Sequence, residues 1–269
     1  MKPSDRLDVT LSAQYGHDNP TGPARYAYGI VPDGSGGFVD FSGYSRFNDP
    51  LITGKNQFHM NDMGRFKTIS RSGTLNIAWN DGDHLSVTSV TGYTSGLYDL
   101  EDESDGGANS LVGIHYRAAT RDFSQDLRLN YDAETFKFII GAYYGKDRLR
   151  ARNELGFFGF LPDATSAATF NPGVATSFNA LQAYGQDRES KAVYSEGNFK
   201  FSPKLDLTVG LRYTDDKIEY VNGNSTVYSN FSSSGVPLFP LFSDLNQKNG
   251  SKKVSGRAIL NYNFADDIH

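Results

Sequence analysis

The residues of this chain that could do chemistry are dispersed, and their spacing excludes most kinds of catalysis. There is no cysteine, so thiolate nucleophiles, thiolate metal sites and disulfides are ruled out together. His17, His59, His84, His115 and His269 share no metal-ligand spacing, and no GxSxG, HExxH or phosphate-loop pattern occurs. The chain therefore reads as no enzyme, with no cofactor and no metal. Asp99, Glu101, Asp102, Glu103 and Asp105 precede Gly106 in the manner of a calcium loop, but Val112 stands where the closing carboxylate belongs, so the run reads as a solvated segment.

Two other groups of side chains could meet a ligand. Tyr26, Tyr28, Phe41 and Tyr44 lie in a stretch rich in Gly, Pro, Asn and Asp between residues 18 and 64. Rigid amphipathic rings of this kind recognise sugars and catecholates at low entropic cost, and they equally pack a long loop against its neighbours. Arg128, Lys137, Arg212 and Arg257 occupy polar positions within alternating segments. Such cations either line a cavity and meet what fills it, or simply hydrate its wall.

The elements that position these residues are strands. In residues 205–213, LDLTVGLRY, Leu205, Leu207, Val209, Leu211 and Tyr213 fall on one face and Asp206, Thr208, Gly210 and Arg212 on the other. Leu7, Val9, Leu11, Ala13 and Tyr15 repeat the pattern, as do Phe123, Leu127, Leu129 and Tyr131, then Phe136, Phe138, Ile140, Ala142 and Tyr144, and finally Val254 to Phe264 in steps of two. Val90 interrupts the alternation of its segment. Eight strands result, joined alternately by short turns, such as Asn80-Asp81-Gly82-Asp83, and by long polar segments near residues 18–64, 96–119, 146–188 and 214–252.

In an antiparallel meander this alternation puts all short turns at one end and all long connections at the other. Only 38% of the chain is hydrophobic, and no run approaches the ~20 apolar residues of a membrane helix. A transmembrane β-barrel explains both facts, with short periplasmic turns, long extracellular loops, an apolar outer band and aromatic rings at strand ends. The expected fold is all-β, an antiparallel up-and-down transmembrane barrel segment facing outer-membrane lipid. The scattered basic residues and a net charge of −5 argue against nucleic acid.

The stretches FSQDLRLNYD (residues 123–132), FKFIIGAYYG (136–145), AVYSEGNFKFSPKLDLTVGLRYTDD (192–216), LSVTSVTGY (85–93) and LNYNFADDIH (260–269) resemble the β-barrel of TonB-dependent outer-membrane receptors. That resemblance implies the outer membrane of a Gram-negative bacterium and active uptake of a scarce ligand, a ferric siderophore or other iron complex first, with cobalamin or an oligosaccharide as further choices. It implies energy from the inner-membrane proton motive force, reaching the barrel through the TonB complex and a plug domain. It also implies that the plug and the C-terminal strands lie outside residues 1–269, leaving about eight strands of a larger barrel. Arg128, Lys137, Arg212 and Arg257 would then face the lumen and meet the plug. The alternative is a passive porin or a small structural outer-membrane barrel with adhesive loops.

Overall fold

Long runs of alternating apolar and polar side chains favour ladders with two unlike faces, and the chain folds accordingly. A computed structural model describes residues 4–22, 31–39, 52–53, 57, 60, 63–104, 106–107, 111–158, 177–228 and 237–264. Its strands are β1 (Leu7–Asp18), β2 (Val31–Pro32), β3 (Phe38–Val39), β4 (Arg65–Asn80), β5 (Leu85–Glu103), β6 (Val112–Asp132), β7 (Phe136–Phe157), β8 (Phe178–Ser202), β9 (Leu205–Tyr228) and β10 (Pro237–Tyr262). Eight form one antiparallel half-barrel in the order β1-β4-β5-β6-β7-β8-β9-β10, and among the described residues β2 pairs only with β3. No helix among the described residues is long and apolar enough to cross a membrane.

The short turns form where their residue types require. In the β4–β5 turn, Asp81 Oδ1 accepts the N–H groups of Asp83 (2.9 Å) and Leu85 (3.0 Å), which holds its carboxyl below the usual carboxylate range. Gly82 takes a φ of 89°, a value glycine reaches without steric cost. Lys204 N–H bonds Ser202 Oγ at 3.2 Å in the β8–β9 turn.

The long connections differ from expectation. Much of 96–119, 146–188 and 214–252 is strand, and β5 to β10 run for 19 to 26 residues, against the ~9 to 11 a bilayer crossing needs. Pairing of β5 with β6 is unbroken from Leu85↔Tyr131 to Glu103↔Gly113, and Val90 sits in regular register opposite Asp126. The physical reason is that backbone pairing does not require one oily face. Where both faces meet water the alternation disappears from the sequence while the ladder continues. Irregularity is concentrated at the far ends of β8 to β10, where shifts between Ala183 and Gly185 and between Pro237 and Gln247 mark bulges, with one further shift between Lys200 and Ser202 beside the β8–β9 turn.

The two faces are those expected. Leu11, Val193, Leu211, Val254 and Leu260 are 57–75% exposed, and Val209 is 39% exposed. A single-layered sheet leaves this face uncovered among the described residues, and hydrocarbon is the medium that suits it. On this face, residues 123–131 and 136–144 each span about 9 residues between aromatic ends, and 85–93 and 205–213 span about 9 residues from a leucine to a tyrosine, one membrane crossing each. Rings touch along the lower rim: Tyr131 and Phe136 centroids lie 6.4 Å apart, Phe136 and Phe199 4.8 Å. Along the upper rim, Phe123 pairs with Lys146, Tyr144 with Gln125, and Tyr213 with Val193, so the ring belt descends across the pairing rows from β6 to β9. That descent is the stagger of tilted barrel strands.

Candidate functional site

On the opposite, polar face the strands bring together groups far apart in sequence. Arg128 (β6), Gly141 (β7), Tyr194 (β8) and Arg212 (β9) lie in one pairing row. Tyr194 reaches across Gly141 so that its hydroxyl donates to Asp126 at 3.1 Å and accepts from Arg128 Nε at 3.0 Å. Arg128 Nε also donates to Asp126 Oδ1 at 2.6 Å, and the Arg212 guanidinium lies 5.5 Å from the centroid of the Tyr194 ring. A Cβ on Gly141 would fall 2.3 Å from the Tyr194 ring, so glycine is what lets a β8 side chain meet β6.

The same device recurs two pairing rows away, on the same face. Glu196 on β8 and Arg257 on β10 pair across Gly210 of β9, with Arg257 Nε 2.8 Å from Glu196 Oε2. A Cβ on Gly210 would sit 3.0 Å from that carboxylate. Tyr194, Glu196, Arg212 and Arg257 line a shared shallow cavity of about 290 Å³.

A second cavity of about 430 Å³ lies beyond the membrane band on the side of the long connections, lined by Gln186, Ile218, Tyr220, Gln247, Lys248 and Asn249. Tyr220 stacks on Tyr184 with centroids 5.5 Å apart and rings within 14° of parallel. Burial, then the neighbouring Tyr184, pushes the Tyr220 phenol above its ordinary value. These rings alternate in register with the polar face, as Gln186↔Tyr220↔Gln247 shows.

Of the four basic residues singled out in the sequence, Arg128 and Arg212 meet through Tyr194, and Arg257 borders the same cavity. Lys137 does not join them; its Nζ binds Asp132 Oδ2 at 2.8 Å beside the β6–β7 turn. Tyr26, Tyr28, Phe41 and Tyr44 lie outside the described residues. The acidic run is divided: Asp99 bonds His115 Nε2 at 2.8 Å, Glu101 pairs with Arg65 at 2.8 Å, and Glu103 is buried and accepts Gly106 N–H at 2.9 Å. Asp105 is outside the described residues. Sequence reasoning missed Tyr194, Glu196 and the Tyr184–Tyr220 stack. The available signal was glycine at Gly141 and Gly210 on the polar face.

The chain matches the family described as TonB dependent receptor-like, beta-barrel, over residues 5–269, and it belongs to that family. Its place is accordingly the Gram-negative outer membrane, among receptors rather than enzymes. No curated protein matches the sequence. Among solved structures it is similar to the ferric yersiniabactin uptake receptor FyuA from Yersinia pestis (TM-score 0.61, 15% identity, 98% of this chain and 34% of that one). It is also similar to the siderophore receptor PiuA from Acinetobacter baumannii (0.54, 18%, 97% and 38%) and to the open form of the ferric-catecholate import receptor Fiu from E. coli K12 (0.52, 12%, 96% and 42%). The chain thus spans 34–42% of the length of these receptors.

Proposed function

We propose that this chain forms part of the barrel wall of a receptor for active, TonB-dependent uptake of a ferric siderophore. The observation that carries the reading is the stacked Tyr184–Tyr220 pair in a polar cavity beyond the aromatic belt. Flat rings with a neutral phenol and amide neighbours suit a catecholate or another aromatic iron chelate better than cobalamin or a plain oligosaccharide. Three structural neighbours, a ferric yersiniabactin uptake receptor, a siderophore receptor and a ferric-catecholate import receptor, favour the same cargo. Tyr26, Tyr28, Phe41 and Tyr44 then supply further ligand contacts. Arg128, Arg212 and Arg257 face the lumen and form the wall against which a plug moves, with Lys137 near the periplasmic rim.

Uptake of radiolabelled ferric catecholate by cells dependent on the full receptor tests this. Transport should stop when a protonophore collapses the proton motive force, and Tyr220→Ala should reduce it severalfold with unchanged receptor abundance. Uptake indifferent to the protonophore would replace the reading with a passive porin.

A further inference from the structure

Above the aromatic belt, the inner wall carries a second pair of rings besides Tyr184 and Tyr220. Phe66 of β4 and Tyr98 of β5 meet edge to face with centroids 5.3 Å apart, and Tyr98 is 40% exposed. The register sets Tyr98, Ala118, Ala151 and Tyr184 in one row across β5, β6, β7 and β8, on the same face as Asp122. Adjacent strands are ~4.8 Å apart, so the two tyrosines stand about 14 Å from each other along the wall. Between them the row holds two alanines, which makes a shallow trough with rings at both ends.

This stretch of wall is also uncharged. From β5 to β8, the next same-face row away from the membrane brings Asn153 and Gln182, and the next one toward it brings Thr120 and Gln186, with no acid or base in either. Charge returns one such row farther on, at Asp102 on the outer side and at Asp122, Asp147 and Arg188 on the membrane side. Gln186 also lines the 430 Å³ cavity beside Tyr220, so trough and cavity are continuous.

We propose that the trough and the Tyr184–Tyr220 cavity together hold an iron chelate with two aromatic arms, one against each ring pair, and that rings and amides rather than charge supply the affinity. The inference rests on the uptake reading above and narrows its cargo. Ring contacts act over centroid separations of about 4.5 to 7 Å. A single ring midway between Tyr98 and Tyr184 would stand at the outer limit of both contacts, whereas two arms meet both at close range. Joining the arms in one molecule makes the second contact intramolecular, which raises affinity without further contacts. Asn153, Gln182 and Gln186 offer amide donors and acceptors that carry no charge.

The test titrates the full receptor in neutral detergent, by calorimetry, with two hexadentate ferric chelates of equal charge. The first has two hydroxyphenyl-oxazoline arms and one hydroxamate arm, and the second has one and two. All these arms are monoanionic and bidentate, so the chelates differ in rings and not in charge. The wild type should bind the two-ring chelate about fivefold more tightly, the scale of one added ring contact. That affinity should stay level as salt rises, because no exposed charge is there to be screened. Tyr98→Ala should remove the advantage and leave the one-ring chelate, seated at Tyr184 and Tyr220, as it was. Ala151→Phe, which fills the trough, should weaken the two-ring chelate alone.

Tyr220→Ala separates this inference from the reading beneath it. If it weakens both chelates while Tyr98→Ala and Ala151→Phe weaken neither, the cargo site stands and the two-arm inference falls. If neither chelate binds the wild type, both fall. Equal wild-type affinity for the two chelates, or affinity that drops steeply with salt, would also overturn the proposal. Heat-modifiable migration on gels reports barrel folding. Should Tyr98→Ala fail that check, Tyr98→Leu, which keeps bulk without the ring, should lose the same advantage.

Discussion

Arginines inside the half-barrel and arginines outside it live by different rules. On the polar face, Arg128 is held by Asp126 of its own strand and by Tyr194 across Gly141, and Arg257 by Glu196 across Gly210. On the outer face of the β6–β7 hairpin, Arg121 and Arg148 oppose each other with no carboxylate between them. The inner cations are satisfied by the wall itself, so their role is to hold its shape and present a finished surface. Among the described residues the outer cations make no ion pair with each other's strand, and Arg148 and Lys146 act only at longer range, on Asp187 of the next strand.

The largest test of this two-faced design lies at the midplane. Val209→Arg places a charge in hydrocarbon and should cost about 2 to 4 kcal/mol of folding free energy in bilayers, whereas Thr208→Arg, one residue along and on the polar face, should cost much less. Denaturant titrations of both variants refolded into phosphatidylcholine vesicles measure the difference. Equal losses would erase the distinction between the faces.

A smaller effect probes the glycine device. Gly141→Val must displace the Tyr194 ring that lies over it, an overpacking that typically costs about 1 to 3 kcal/mol. It should also detach Tyr194 from Asp126 and Arg128, whereas Gly73→Val, on the outer face with only the Ser12 carbonyl 3.9 Å from the added Cβ, should change stability little. Smaller still is Glu196→Gln. The pair it weakens is 60% and 32% exposed at Arg257 and Glu196, and solvated pairs of this kind contribute about 0 to 1 kcal/mol. If Glu196→Gln cost more than Gly141→Val, charge rather than shape would be what organises the inner wall.

How much of this was legible in the sequence follows from where each strand sits. Within the membrane, one face must be oily and the other wet, so Leu207, Val209 and Leu211 announce both the strand and its orientation. Eight strands and their order were readable for that reason. Beyond the aromatic belt both faces are wet, and segments such as 146–157 and 214–228 look like loops although their backbones pair, the first without interruption and the second through a bulge. The same loss of contrast hid Tyr184 and Tyr220, which sit in those extensions. Val31 and Val39 pair across the Asp33-Gly34-Ser35-Gly36-Gly37 turn inside the first long connection, a hairpin too short to show periodicity. On the polar face, Arg128 and Arg257 were visible as charges, but their partners depend on register between strands that only the fold supplies.

The smallest effect is a pair of opposed pH responses just beyond the membrane band, where the inner and outer rules are exchanged. Facing inward, Asp122 lies opposite Asp147, and burial, reinforced by that second carboxylate, raises its pKa. Facing outward, Asp187 is hydrogen-bonded by Arg150, which lowers its pKa, with Arg148 and Lys146 adding to the effect. A lowered carboxyl contributes stability that is present above its unfolded pKa and is lost as pH falls through the folded value. A raised one does the reverse, and stability increases as pH falls through the raised folded value toward the unfolded one. Asp187→Asn should therefore destabilise the barrel at neutral pH, and Asp122→Asn should stabilise it there. Both differences should fade in acid, once the wild-type carboxyls are protonated in folded and unfolded states alike. Denaturant midpoints across an acid-to-neutral series in one zwitterionic lipid read both slopes. Slopes of the same sign would mean that Asp122 faces a cation supplied from elsewhere in the full barrel, and the inner wall would then be neutralised at this level as it is at Arg128 and Arg257.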